Sequence, residues 1–98
     1  MKYLHVIQNC IPPLTKEVEV KKEGFICEIP VFVTKSEHTR GYFVIDKYSG
    51  MSPGTSLYTT IKETIPSSEI ELVSKVGSKE KLMEMFKIAH QRATKINN

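Results

Sequence analysis

The chain has 98 residues, 40% of them apolar and 26% charged, with a formal charge of +3. These are the values of one ordinary globular domain, with enough apolar material for a core, and they exclude a disordered or low-complexity segment. No apolar run approaches the ~20 residues that a membrane-spanning helix needs. The opening residues also lack the apolar stretch and small-residue cleavage site of a secretory signal, so a cytoplasmic location is expected.

Tyr3, Leu4, Val6 and Ile7 favour an opening strand, which Pro12-Pro13 stops by removing ladder donors. Lys16 to Lys22 alternates polar and apolar, as a half-buried strand does, with Val18 and Val20 on one face. Glu23-Gly24 reads as a turn. Phe25 to Thr34 then forms one longer strand, with Phe25, Cys27, Ile29, Val31 and Val33 on one face and Ile26, Glu28, Pro30, Phe32 and Thr34 on the other. Pro30 marks it as an edge or a bulge. Tyr42 to Asp46, apolar on both faces, reads as a central strand. Short connections make these four strands an antiparallel meander.

After Lys47 the pattern turns helical. Ser49 to Ser56 is a loop, and Thr55 or Ser56 would cap a helix carrying Leu57 and Ile61 on its inner face and ending before Pro66. Ser67 to Val76 carries both a capping-box pattern at Ser68–Glu71 and a passable strand alternation, so it reads as a helix with a fifth strand as its rival. Lys79 to Ile96 is the clearest helix. Leu82, Met85, Phe86, Ala89, Ala93 and Ile96 form its core stripe, and Ser78 its N-cap. The predicted fold is a single α+β domain over residues 1–98, an antiparallel sheet of four or five strands packed on one face by C-terminal helices. Its predicted core is Val6, Val18, Val20, Cys27, Ile29, Val31, Val44, Leu57, Ile61, Leu82, Phe86, Ala89 and Ala93.

No convergent catalytic set is visible. His5, His38 and His90 have no His, Cys or carboxylate at the spacing that brings two ligands to one metal. Cys10 and Cys27 match no zinc pattern. Cys27 reads as a buried inert thiol and Cys10 as the more reactive one, with a bridge between them as the alternative. No metal or other cofactor is expected, and the chain reads as a non-enzyme.

Three binding readings remain. A protein partner or a second copy of the chain would meet apolar side chains left off the core faces, namely Ile26, Phe32, Met83 and Ile88; the rival reading is that Pro12-Pro13 or another segment folds over them. Nucleic acid would meet the basic C-terminal segment. Residues 75–98 hold six basic and two acidic side chains, a net +4, whereas residues 1–74 hold eight and nine, a net −1. Lys81, Lys87, Arg92 and Lys95 are its candidate contacts. An anion would meet the loop of Gly50, Ser52, Gly54, Thr55 and Ser56, whose backbone N–H groups and hydroxyls precede a predicted helix N-terminus. The protein-binding reading comes first, the nucleic-acid reading second and the anion site third.

Overall fold

The computed structural model describes residues 1–97. It contains strands β1 (Lys2–Gln8), β2 (Leu14–Glu19), β3 (Lys22–Ile26), β4 (Ile29–Lys35) and β5 (Tyr42–Asp46), followed by helices α1 (Ile61–Val76) and α2 (Lys79–Arg92). The protein is α+β, with two antiparallel sheets rather than one: a two-stranded ribbon β1-β2 and a three-stranded sheet β3-β4-β5.

The layers follow from strand alternation. Side chains of β4 point in turn to the two faces of the central sheet. Val31 and Val33 face one side with Ile26 and Val44, where Leu72 of α1 and Leu82 and Phe86 of α2 complete the core. Phe32 faces the other side with Ile45, where Val18, Tyr3 and Val20 cover it. The Tyr3 ring meets Phe32 edge-on, at 5.1 Å between centroids. The ribbon therefore covers the sheet face that the sequence left open, while the Pro12-Pro13 loop turns outward and leaves Ile11 fully exposed.

This arrangement corrects several expectations. Phe25 to Thr34 is not one strand: Cys27 and Glu28 form a two-residue turn with φ of 47° and 71°, and Ile26 pairs with Ile29 across it. Positive φ at two side-chain-bearing residues is unusual. Here the Cys27 N–H donates to the Glu69 carboxylate of α1 at 3.0 Å, which holds the turn from outside. Gly24 is not a turn residue but lies inside β3, where a Cβ would come within 2.7 Å of Ile65 Cδ1. Ile26 and Phe32, offered as a partner surface, are both fully buried.

Pro30 stands in the central strand, not at an edge. The Lys47 N–H donates to the Pro30 carbonyl at 3.1 Å, and Pro30 has no N–H to return the bond. The Asn97 amide supplies it instead, donating to the Lys47 carbonyl at 3.1 Å.

The helix expected from Leu57 starts four residues later. Thr60 caps it in a reciprocal box with Glu63, and Pro66 lies inside the helix on its exposed side. Leu57 is consequently exposed at 41%. Residues 67–76 are helical and end at Gly77, whose φ of 107° suits a residue without a Cβ. The capping-box pattern at Ser68–Glu71 falls within this helix. Helix α2 ends at Arg92; Ala93 to Asn97 run extended to β1, where the Asn97 side chain accepts from Leu4 N–H and donates to Leu4 C=O, each at 2.9 Å. Of the predicted core, Val6, Val18, Val31, Val44, Leu82 and Phe86 are buried. Val20, Cys27, Ile29, Ile61 and Ala93 are half-buried, and Ala89 is exposed.

Candidate functional site

Helix α2 has a wider apolar stripe than the sheet covers. Leu82 and Phe86 enter the core, but Met85 remains 55% exposed and Ala89 is exposed as well. These two, with Ala93, form one wall of a cleft of about 250 Å³, and Met51, Ser52 and Pro53 form the opposite wall. Val76 and Leu72 of α1 complete its apolar lining, and Asp46 and Ser49 supply its polar atoms. Methionines on both walls give it a surface that adapts to the shape of an apolar guest.

Asp46, 4% exposed at the end of β5, ties α2 to the sheet. Its Oδ2 accepts from His90 Nε2 at 2.6 Å and from Ser49 Oγ at 2.8 Å, and its Oδ1 accepts from Tyr48 N–H at 3.2 Å. The Tyr48 ring stacks on His90 at 4.5 Å. This is a Ser, His and Asp cluster in composition only. The hydroxyl and the imidazole both donate to one carboxylate oxygen, so the ring is not placed to take a proton from the serine, as nucleophile activation requires. The arrangement fixes the position of α2 against the loop that forms the other wall of the cleft.

The predicted anion loop already holds a carboxylate of its own chain. Glu71 accepts from Ser56 N–H at 3.0 Å, Ser56 Oγ at 3.2 Å and Tyr58 OH at 2.6 Å, with Lys75 Nζ 3.2 Å away. These partners, the Tyr58 phenol foremost, bring the Glu71 carboxyl down to about 2, and Glu71 in turn pushes the phenol up to about 12. Gly50 is buried against β1, where its carbonyl accepts from Val6 N–H at 2.8 Å, and the Gly54 N–H turns to Ser52 Oγ at 3.4 Å. Among the described residues, Thr55 Oγ1 is buried without a partner. No helix N-terminus follows directly, since α1 starts at Ile61.

The nucleic-acid candidates do not gather on one surface. Lys81 and Arg92 lie on one flank of α2, Lys87 about 130° around the helix from them, and Lys95 beyond its end. Met83 and Ile88 are both exposed as expected, but on opposite flanks, about 140° apart.

Among the described residues no three His, Cys, Asp or Glu side chains lie close enough to hold a metal ion. Both cysteines are free. Burial, and after it the Glu69 charge, push the Cys27 thiol up, away from its nucleophilic form. No helix among the described residues is long and apolar enough to cross a membrane. No protein-family model matches the chain, and neither curated proteins nor solved structures contain a match to it.

Sequence reasoning missed Asp46, Ser49 and His90 as a group, and Glu71 as the occupant of the loop. His90 stands 44 positions from Asp46, and nothing in either neighbourhood points to the other. Met85 and Ala89 were detectable as apolar, but periodicity alone places them in the core stripe. Only the width of the sheet beneath them decides which part of the stripe is covered.

Proposed function

We propose that this protein is a small non-catalytic binding module that acts through a protein partner, and that the cleft between α2 and the Met51–Pro53 loop receives apolar side chains of that partner. One observation carries the reading: the apolar stripe of α2 is covered only along Leu82 and Phe86, while Met85 and Ala89 line an open cleft. Exposed apolar surface of this kind is what protein interfaces use. The Asp46–His90 contact supports it, because it holds the two walls of the cleft in register. Two free cysteines suit a reducing, cytoplasmic setting. Self-association through the same cleft is the alternative within this reading. The division of the cations between two flanks of α2 gives the nucleic-acid reading less support, and Glu71 already fills the anion loop.

The test is selection of peptides from a random library on the immobilised chain, run beside an Ala89→Trp variant whose indole fills the cleft. Enriched sequences that bind the parent protein at least about tenfold better than Ala89→Trp support the reading. Equal recovery on both proteins overturns it. Light scattering at high concentration separates the dimer, which Ala89→Trp would dissociate.

A further inference from the structure

Four side chains of α2 form one exposed ridge beside the cleft. Lys81, Met85, Ile88 and Arg92 follow one another at intervals of four, three and four residues, which places them within about 60° of arc. All four are exposed, Met85 at 55% and Ile88 at 42%. Met85 belongs both to the cleft and to the open groove next to it, which Lys75 and Lys81 line together with Glu80 and Glu84. Lys75 is paired with Glu71 and Lys79 with Glu69, but among the described residues neither Lys81 nor Arg92 has an acidic partner.

The ridge thus reads basic, apolar, apolar, basic over about 17 Å, three helical turns. Its complement is acidic, apolar, apolar, acidic at the same spacing, which is one stripe of an amphipathic helix. Spacing of four, three and four is the same in either direction, so a helix can lie parallel or antiparallel to α2. Glu84 stands on the side of the ridge away from the cleft and repels carboxylates there, which keeps such a helix toward the cleft. A phosphate backbone fits less well: between the two cations it would meet only Met85 and Ile88, and Lys87 lies around the helix.

We infer that the ridge is the docking track for an acidic amphipathic helix of a protein partner, with one apolar side chain of that helix seated in the cleft. This rests on the protein-binding reading above and names the chemistry of its partner. Unpaired cations give charge complementarity and steering, and the methionine and isoleucine give the apolar contact.

The experiment uses the full chain and a fluorescein-labelled synthetic helix on an Ala/Gln background, bearing Glu, Leu, Leu and Glu at the four-three-four spacing. A second helix carries Lys in place of each Glu, and a labelled single-stranded oligonucleotide is the third probe. Anisotropy is read for the parent protein, for a Lys81→Glu/Arg92→Glu double variant and for Ala89→Trp, each checked by circular dichroism for an unchanged fold. The parent protein should bind the Glu helix at least about tenfold more tightly than the Lys helix, and the double variant should invert that preference. Equal binding of the two helices, no binding of the Glu helix, or tighter binding of the oligonucleotide overturns the inference. Binding lost in Ala89→Trp but indifferent to charge reversal leaves the cleft as a peptide site and overturns the ridge alone.

Discussion

At Glu71 two carboxylate oxygens collect a phenol, a hydroxyl, a backbone N–H and an ammonium, the nearest at 2.6 Å. Bonds to a charged group of this kind contribute about 1.5–3 kcal/mol each when well shielded. The Glu71 side chain keeps 20% of its surface in water, so a total of about 2 kcal/mol is the expected scale. Its carboxyl lies near 2 in the folded protein against an ordinary 4.5. The folded state therefore binds this proton less readily than the unfolded chain. The stabilisation is complete above about pH 4.5 and is lost as pH falls toward 2. Glu71→Gln should cost about 2 kcal/mol in urea unfolding at pH 7, and the gap from the parent protein should narrow below about pH 4.5 and close only near pH 2. A gap that stays constant with pH would remove the ionic account. Tyr58 has the opposite sign: with the phenol raised from 10 to about 12, its share is present below pH 10 and lost as pH climbs through 12. Gly50 is a second residue with a narrow requirement. Its φ is 72°, and a Cβ would stand 3.1 Å from the Leu4 carbonyl oxygen and from Val6 Cγ2. Gly50→Ala should cost at least the ~1–2 kcal/mol of left-handed backbone, measured by thermal or urea unfolding.

Helix α1 shows how a local rule and a tertiary contact compete. Proline at residue 66 gives up one intrahelical bond, to the Lys62 carbonyl, and its ring points to solvent. Against that loss stand the Thr60–Glu63 box at the start of the helix and the burial of Thr64, Ser68 and Leu72 along its inner side. Pro66→Ala should restore the missing bond. Because proline also restricts the unfolded chain, the net gain should be about 1 kcal/mol, well short of the ~3 kcal/mol that helix propensity alone gives. Unfolding of the variant at lower urea than the parent would mean that the helix depends on the proline. This competition also explains what could be read in advance. An opening strand and the strand at residues 42–46 were legible from β-branched and aromatic content, and α2 from its stripe. But the alternation of Lys16–Lys22 runs past the end of β2 at Glu19 to the start of β3, and residues 42–46 lie at an edge of their sheet rather than at its centre. The Cys27-Glu28 turn was not legible, because its support comes from Glu69 on another element. Nor was the covering of Phe32, since ribbon and sheet meet through side chains far apart in sequence. Of the candidate site, the apolar character of α2 was legible, and which part of it stays open was not.

Across the whole molecule the elements are anchored unequally. Strand β4 lies between β3 and β5 and buries Val31, Phe32, Val33 and Thr34 on its two faces. Helix α2 inserts only Leu82 and Phe86, and adds the His90–Asp46 contact toward its end. Fourteen residues are too few for a helix to persist in water without tertiary support. Two buried side chains, at about 1.5–3 kcal/mol each, give α2 a smaller margin than the sheet beneath it. Native-state hydrogen exchange should therefore show α2 amides opening at lower free energy than those of β4 and α1, as a separate unit. His90→Ala should widen the difference, because it removes one attachment of α2 and leaves the buried Asp46 carboxylate with one donor fewer. Exchange in β4 should change much less. A helix attached in this way can adjust to an apolar guest in the adjoining cleft, and a guest that bridges Met85 and Met51 would slow α2 exchange when bound. Exchange of α2 in step with β4, unaltered by His90→Ala, would mean that the helix opens only with the whole fold, and that the cleft wall is as rigid as the sheet.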